Sequence, residues 1–347
     1  MAAGLLVTAL VAAGVTLAVL QQQSRTNTQQ VNLRSGVTIS EDSAIVQAAA
    51  RARPAVVSVV TQLQPTLSRG SGYLVTTDGY IVTNIDVIAG AGAMTVLVPG
   101  DPATHDARLI DYDCQTGVAV IKIDKVSGLP TLAFADPTAL VQGQVIVAVG
   151  GPFEGGAVTP GYVSAMHQVV SITNPSAAQQ SLQLSDAILT SSVISAGTAG
   201  GPMLNVGGQV IGIAMQSQPS TETSGFGLNV ADVQDDVQQI LQTGQVVVAS
   251  LGVTSSDLSP ELASLSGLPV GSQLVSVDKG GPAATAGLQP GDVITQLDDV
   301  QLDAAHPLRL LLRSRFHPNQ KITVTYSRGG ASSQAQLTLT AQHPTCS

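Results

Sequence analysis

The stretch Asp78-Gly79-Tyr80-Ile81-Val82-Thr83 shows the pattern that decides the fold, a turn pair followed by a short run of β-branched and aromatic residues. Asp and Gly favour turns, whereas Tyr, Ile, Val and Thr fit the pleated surface of a strand. Similar runs, separated by Gly, Pro, Asp and Ser, predict nine strands at residues 55–60, 71–76, 80–83, 94–98, 107–111, 118–123, 144–149, 161–166 and 209–214. Short strands without a long helix between them predict a mainly β fold, a barrel or a sandwich.

Two helices flank this region. Residues 41–53 are predicted to form a short helix that Pro54 stops. Residues 231–242 carry apolar side chains at helical intervals and end before Gly244, which favours a closing helix and a domain boundary there. We therefore expect a first domain at residues 51–244, a second at 245–343 and a short tail at 344–347.

Composition excludes several classes of function. The chain has 347 residues, 44% of them hydrophobic and 11% charged, which is enough for two modest cores. Its net charge of −9 argues against a nucleic-acid partner, because phosphate binding needs a basic face. The basic cluster Arg309, Arg313 and Arg315 is interpreted as the solvated side of a helix. Cys114 and Cys346 have neither a disulfide framework nor metal spacing, Cys114 is expected to be a plain thiol, and no metal or organic cofactor is expected.

The N-terminal segment has the length of a membrane anchor. Residues 2–20 contain no charge, and nineteen helical residues just cross a hydrocarbon core of about 30 Å. An uncleaved transmembrane anchor is favoured over a cleaved signal peptide, because no basic segment precedes the run. Residues 21–50 are then a polar linker ending in the short helix.

Three motifs carry the chemistry of the first domain. They are Gly70-Ser71-Gly72 with the later Thr83-Asn84-Ile85-Asp86-Val87, then Thr116-Gly117-Val118-Ala119-Val120, and Gly197-Thr198-Ala199-Gly200-Gly201-Pro202. The second domain contains Gly280-Gly281-Pro282-Ala283-Ala284 and Gln289-Pro290-Gly291-Asp292-Val293. Together the motifs resemble the HtrA/Deg family over positions 51–343. The resemblance implies a trypsin-like double β-barrel followed by a PDZ domain, behind an N-terminal transmembrane helix.

The resemblance also implies a triad whose three positions have changed. Asp86 stands where the family has histidine, Gly117 where it has the orienting aspartate, and Ala199 where it has the nucleophilic serine. Because the three side chains work as one unit, no catalytic residue is expected here. Candidate replacements for the serine nucleophile are the hydroxyls of Thr198 and of the serines at 191, 192 and 195. The candidate base is Asp86, which is weak unless burial raises its pKa.

The backbone amides of the same loop are still present when the serine side chain is lost. The amides of Gly197 and Ala199 are the candidate oxyanion-hole donors, since a methyl side chain does not remove an N–H group. The alternative is that the glycines and Pro202 only preserve a tight turn. Both interpretations stay open on the sequence.

The PDZ-like domain predicts a second binding site. The resemblance places a carboxylate-binding loop at Ser250-Leu251-Gly252-Val253, with Leu251, Gly252 and Val253 as amide donors. A helix at residues 302–315 is the other wall, and Leu308, Leu311 and Leu312 are the candidates for its apolar pocket. A leucine stripe is also typical of a core.

The leading hypothesis is an inactive HtrA-like pseudoprotease that binds peptides, protein C-termini or unfolded chains through the PDZ domain and the degenerate cleft. It is expected on the extracytoplasmic side of the cytoplasmic membrane, as a single-pass protein that forms a homo-oligomer or associates with an active relative. The first alternative is an active serine-type endopeptidase with non-standard catalytic groups. The second is a PDZ adaptor with an inert barrel.

Overall fold

The computed structural model describes residues 40–63, 66–153, 156–173, 181–216, 225–303 and 306–346. The predicted anchor at residues 2–20 and the linker up to residue 39 lie outside these ranges. None of the helices in the described ranges is long and apolar enough to cross a membrane. The described chain begins with α1, Ser40–Ala52, which confirms the predicted short helix, and a 3-10 turn at Arg53–Ala55 follows it.

The first six strands close into a barrel in the order β1-β2-β3-β6-β5-β4. A four-residue helix, α2 at Ile85–Ile88, follows β3, and the Asn84 side chain caps it by accepting the Val87 N–H. Valine and isoleucine side chains fill the barrel interior, as the β-branched runs predict. The strands are β1 Val56–Leu63, β2 Thr66–Leu74, β3 Tyr80–Asn84, β4 Met94–Leu97, β5 Thr104–Asp113 and β6 Val118–Ile123.

A second barrel follows in the order β10-β11-β12-β9-β8-β7. Its strands are β7 Val145–Val149, β8 Val158–Thr173, β9 Ser181–Thr190, β10 Pro202–Leu204, β11 Val210–Met215 and β12 Gly225–Asn229. The closing helix α3, Val230–Thr243, begins at the Asn229 cap and ends at Gly244, whose φ of 82° is left-handed. The sequence predicted nine strands, and the three that it missed are β9, β10 and β12.

The remaining strands and helices form a smaller sheet and its cover. Strands pair in the order β14-β15-β16-β18-β19, with β17 beside β16, while β13 pairs with β20. The strand β14 therefore lies at an edge. The elements are β13 Val248–Ser250, β14 Val253–Leu258, α4 Pro260–Ser266, β15 Gly271–Val277, α5 Pro282–Thr285, β16 Val293–Leu297, β17 Val300–Gln301, α6 Leu308–Ser314, β18 Lys321–Arg328, β19 Ala331–Thr338 and β20 Thr340–Gln342.

The prediction of a helix over 302–315 was wrong at its start. The helix α6 begins only at Leu308, after Pro307 in an extended conformation. A residue before proline is biased away from the helical region, so His306 does not join the helix. Leu302 instead donates its N–H to the carbonyl of Thr295 at 2.9 Å.

Candidate functional site

The loop Gly197-Thr198-Ala199-Gly200 is held tightly between the two barrels. The Ser71 N–H donates to the carbonyl of Ala199 at 2.8 Å, and the Gly200 N–H donates to Ala214 at 2.8 Å. Gly200 has a φ of 82°, and a Cβ there would collide with the Ser71 carbonyl and the Thr83 hydroxyl. Only glycine fits this position, because it supplies both the left-handed backbone and the space.

Ser71 is the polar centre that ties the loop to its surroundings. Its hydroxyl donates to the Gly197 carbonyl at 2.6 Å and accepts the Gly151 N–H at 2.7 Å. Its own carbonyl accepts the Thr83 hydroxyl at 2.7 Å. In the sequence Ser71 stands out only as the middle residue of the motif Gly70-Ser71-Gly72, and its place between two glycines is the signal that points to a role for its side chain.

The three triad-equivalent positions meet in one place. Gly117 accepts the Ile85 N–H at 2.9 Å, so it adjoins the helix that carries Asp86. A Cβ on Gly200 would also meet Val87 Cγ2 at 2.9 Å, which places that helix beside the loop of Ala199. The two neighbours of Asp86 in the chain therefore contact Gly117 and the loop of Ala199, and the grouping of the three positions as a former triad stays a prediction.

The side chains at these positions have little nucleophilic chemistry. The Ala199 methyl is 4% exposed, and Thr198 is fully buried with its hydroxyl 3.2 Å from that of Ser195. Burial raises the pKa of Asp86 to about 6. Within the described ranges, no side chain or amide donates a hydrogen bond to its carboxylate, so Asp86 has no hydroxyl to activate.

Ala199, one of the two expected oxyanion-hole donors beside Gly197, directs its amide into its own turn. The amides of Thr198 and Ala199 both donate to the Ser195 carbonyl, at 3.0 and 2.9 Å. The Ala199 N–H is therefore engaged inside its own turn rather than directed at a ligand. This conformation corresponds to the tight-turn alternative.

A cavity of about 310 Å³ lies beside the loop. Gly197, Arg69 and Phe153 are among its lining residues. The Arg69 guanidinium lies 4.3 Å from the centre of the Phe153 ring, a cation–π distance. The cavity is therefore lined by both a charged and an aromatic side chain beside the loop of Ala199.

A larger groove, of about 670 Å³, lies between the edge strand β14 and helix α6. Of the residues predicted for a peptide site, Leu251, Val253, Leu308 and Leu312 line this groove, whereas Gly252 is not among its lining residues. Leu311 does not line it either, since it is 1% exposed and packs in the core of the smaller domain. Its assignment to the pocket was wrong, because in a seven-residue helix neighbouring leucines point to different sides.

In the loop predicted to bind a carboxylate, Ser250 makes a contact within the loop. The Ser250 hydroxyl accepts the Gly252 N–H at 3.0 Å, so one of the three predicted donors is engaged by the chain itself. Gly252 has a φ of 68° and its carbonyl accepts the Asp278 N–H at 2.9 Å. The loop is rigid, and the amides of Leu251 and Val253 are the remaining candidates for a ligand carboxylate.

The arginines of α6 contradict the prediction of a solvated helix face. The Arg313 side chain is 7% exposed and pairs with Asp113 at 2.6 Å, with Asp236, and with Asp232 at 3.7 Å. Arg309 donates to the Gln115 carbonyl at 2.8 Å, and burial lowers its pKa. Only Arg315 of the three is exposed. A buried guanidinium is stable here because carboxylates from the barrel region neutralise it.

The cysteines also contradict the prediction. Cys114 and Cys346 form a disulfide with a Cα–Cα distance of 5.1 Å. Beside it, the Cys114 N–H donates to the Pro344 carbonyl at 3.0 Å, and His343 lies 2.8 Å from an Asp111 oxygen. The spacing of 232 residues gave no hint of this contact.

Comparison with known proteins identifies the family. Residues 70–213 match the trypsin-like peptidase domain and residues 210–339 match the PDZ domain. The serine protease Do-like HtrA of Lactococcus lactis subsp. cremoris is 35% identical over 292 residues, covering 78% of this chain and 70% of the relative. The chain belongs to the HtrA family. A probable periplasmic serine endoprotease DegP-like of Halomonas elongata is also 35% identical, and this chain spans 56% of its length.

Solved HtrA structures agree with the fold. The HtrA-type protease AlgW with a tripeptide superposes with a TM-score of 0.70 at 30% identity, covering 87% of this chain and 98% of that one. The serine endoprotease from Yersinia pestis gives a TM-score of 0.65 at 27% identity, with 86% and 98% covered. The HtrA architecture of a trypsin-like double barrel plus a PDZ domain is thereby confirmed.

Proposed function

We propose that this HtrA-family protein is a catalytically inactive pseudoprotease that binds peptides or unfolded chains without cutting them. The observation that carries the proposal is the buried methyl group of Ala199 at the nucleophile position, within a loop that is hydrogen-bonded to Ser71 and Ala214. Gly117 supplies no orienting carboxylate and Asp86 no imidazole. Loss of any one triad member costs on the order of 10⁴ to 10⁶ in rate, so three losses leave no efficient route.

The geometry around Ala199 supports this proposal against a substitute nucleophile. Thr198 is the nearest hydroxyl in sequence, and it is buried and paired with Ser195. A substitute needs a base within hydrogen-bond reach, and Asp86 has no such partner in the described chain. The relatives are named serine proteases, and the proposal separates this chain from them at these three positions.

The binding role rests on the groove. An extended peptide adds to an exposed sheet edge, where main-chain hydrogen bonds give affinity and side-chain pockets give specificity. The edge strand β14, the apolar residues Leu308 and Leu312, and the amides of Leu251 and Val253 supply these elements. AlgW, which shares the fold, is described with a tripeptide and with a decapeptide.

The relatives' names favour a location in the cell envelope, since several are called periplasmic. We place this protein there as well, anchored to the cytoplasmic membrane by residues 2–20. In that location a non-cutting HtrA relative acts as a scaffold, a holdase or a regulator of an active protease, as a homo-oligomer or in a mixed assembly.

Binding to peptides with and without a free C-terminus tests the proposal. A mixture of fluorescein-labelled random octapeptides is expected to bind the full chain, and the same mixture amidated at its C-termini at least about tenfold less, because the loop amides lose their charged acceptor. Leu312→Glu is expected to abolish binding, while Leu265→Glu, at an 86% exposed leucine, is not. Equal binding of the two mixtures would refute the groove as a site that binds the C-terminal carboxylate of a peptide.

The same variants separate the alternative of an inert barrel. Leu312→Glu is expected to abolish binding of the octapeptides, because these bind in the PDZ groove. An unfolded chain is expected to keep part of its binding to this variant through the cleft beside Gly197, whereas complete loss of that binding would favour the inert barrel.

One observation favours the rival enzyme hypothesis. A carboxyl group with a pKa of about 6, as at Asp86, is a better base than an ordinary aspartate. Labelling with a fluorophosphonate probe distinguishes the two, and we expect no labelling above that of denatured protein. Labelling that Thr198→Val or Asp86→Asn removes would support the active endopeptidase.

A further inference from the structure

The groove that the PDZ domain offers to a ligand is not built from that domain alone. Gln115, which lies between β5 and β6 of the first barrel, also lines it. So does Val169 of the second barrel, although its side chain is 63% exposed. Gln115 reaches the groove because its carbonyl accepts the Arg309 Nη1–H at 2.8 Å.

The segment of residues 113–117 is fixed from within. The Asp113 carboxylate accepts the amides of Gln115 at 2.6 Å and Thr116 at 3.2 Å, which shapes the turn. The Thr116 hydroxyl donates to Asp236 at 2.6 Å. Gln115 therefore sits on a turn whose backbone is held at both sides.

A buried ion cluster joins this turn to helix α6. Arg313 pairs with Asp113 of the turn and with Asp236 of α3, and both carboxylates are fully buried. Breaking such a cluster leaves charges without partners in a medium where they are poorly solvated. The helix that forms one wall of the groove is thus attached to the turn that carries Gln115.

The C-terminal tail covers the same turn from another side. Cys346 is bonded to Cys114, next to Asp113, and the Pro344 carbonyl accepts the Cys114 N–H. Asp111 accepts the Val246 N–H at 2.6 Å and lies 2.8 Å from His343 Nε2. Both the start and the end of the smaller domain are therefore fastened beside residues 113–117.

We propose that residues 113–117, the segment where the family has its orienting aspartate, form a wall of the peptide groove, with Gln115 selecting ligand side chains and the Cys114–Cys346 disulfide holding the wall in place. The inference rests on the proposed function, because it assigns specificity within that same groove. The loss of the aspartate at Gly117 leaves this segment free for such a role, since no histidine depends on it.

Charge substitutions at Gln115 test the wall directly. The full chain is exposed to the random octapeptide mixture with free C-termini, and the captured peptides are sequenced by mass spectrometry. Gln115→Lys is expected to enrich acidic residues, and Gln115→Glu basic residues, by about fivefold, the factor that a partly exposed ion pair supplies. Gln62→Lys and Gln62→Glu, at an exposed barrel glutamine that does not line the groove, make the same charge changes and are expected to alter nothing.

The double variant Cys114→Ser/Cys346→Ser tests the disulfide. In this background the enrichment caused by Gln115→Lys is expected to fall below about twofold, because the wall is no longer fixed against the helix. An unchanged fivefold enrichment would overturn the role of the disulfide and would mean that the Arg313 ion cluster alone holds residues 113–117 in place.

The remaining outcomes separate this inference from the function on which it rests. If the wild-type chain captures no peptide in a carboxylate-dependent way, the proposed function and this inference both fail. If it captures peptides but the Gln115 and Gln62 variants select the same sequences, only the wall is refuted.

Discussion

At Asp86 a partly buried carboxyl group has no hydrogen-bond donor among the described residues, and burial raises its pKa from 3.8 to about 6. The folded state therefore binds this proton more tightly than the unfolded chain does. The contribution of Asp86 to stability is fully present below about pH 4 and is lost as the pH rises through about 6. Asp86→Asn is thus expected to stabilise the protein by about 2 kcal/mol at pH 8 and to change little at pH 4, measured by urea unfolding.

The comparison of wild type and variant isolates this residue, because Asp232, whose pKa burial also raises to about 6, titrates in both proteins. Asp101→Asn serves as the control, since Asp101 is exposed and its pKa is lowered by hydrogen bonds from Ala103 and His105. Equal stability of Asp86→Asn and wild type at pH 8 would mean that the carboxylate finds solvent or a partner.

A substitution at Gly200 tests whether the loop of residues 197–200 is tightly packed. Gly200→Ala forces an alanine into the left-handed region of φ, and its Cβ would collide with the Ser71 carbonyl and the Thr83 hydroxyl. A loss of about 3 kcal/mol or more in the free energy of unfolding is expected. Gly100→Ala, at a φ of 80° with open space around it, carries only the backbone strain and is expected to cost about 1 kcal/mol. Similar losses at both positions would show that the loop is not tightly packed.

The positions equivalent to the triad could be located from sequence because they lie in contiguous motifs. Their surroundings could not, since Ser71 contacts residues 80 and 126 positions away. For the same reason the sequence left the Ala199 amide available, whereas the folded turn directs it to Ser195.

At the scale of elements, the strands that the sequence missed have physical explanations. Of these, β9 has Asp186 and Ala187, two residue types that are rare in strands, near its middle, β10 has only three residues, and β12 contains two glycines. Barrel closure supplies their backbone partners, so these segments need no strong intrinsic preference for strands. Helix α6 was predicted to begin too early, because the spacing of the leucines does not show that the chain is still extended at Pro307.

At helix α6, Arg313 and Arg315 differ strongly in how much of each side chain is exposed. Arg313→Met removes the cation that faces three carboxylates, at Asp113, Asp232 and Asp236. We expect a loss of about 3 to 5 kcal/mol in the free energy of unfolding at pH 7, because buried charges are left without a partner. Arg315→Met, two residues away and exposed, is expected to change it by no more than about 0.5 kcal/mol.

The pH dependence adds a check on the cause. Burial raises the pKa of Asp232 to about 6, and the charge of Arg313 counteracts this rise. Without Arg313 the Asp232 carboxyl group is protonated more readily in the folded state, so the deficit of Arg313→Met should shrink as the pH falls from 7 to 5. A deficit that stays constant over this range would indicate lost packing rather than unpaired charge.

At the scale of the whole molecule, a single covalent bond joins the tail to the first barrel across 232 residues. A loop of this length constrains the unfolded chain strongly, so Cys114→Ser/Cys346→Ser is expected to lose about 2 to 4 kcal/mol under oxidising conditions. In dithiothreitol the wild type should approach the variant. No difference in oxidising buffer would mean that the bond does not form in solution.

The arrangement of the two domains was the part least accessible to sequence. The family resemblance supplied a barrel and a PDZ domain, but the burial of Arg313 and the pairing of the cysteines depend on the contact between them. An arginine on a helix looks solvated until another domain covers it.

The absence of peptide cleavage is tested most directly by intact-mass spectrometry of β-casein, an unfolded substrate, after prolonged incubation with the purified full chain. We predict that the casein mass stays unchanged, as in a control with denatured protein, because Ala199, Asp86 and Gly117 provide no activated nucleophile. Casein fragments that accumulate with the native protein, and disappear with Thr198→Val or Asp86→Asn, would contradict the proposal of an inactive binder.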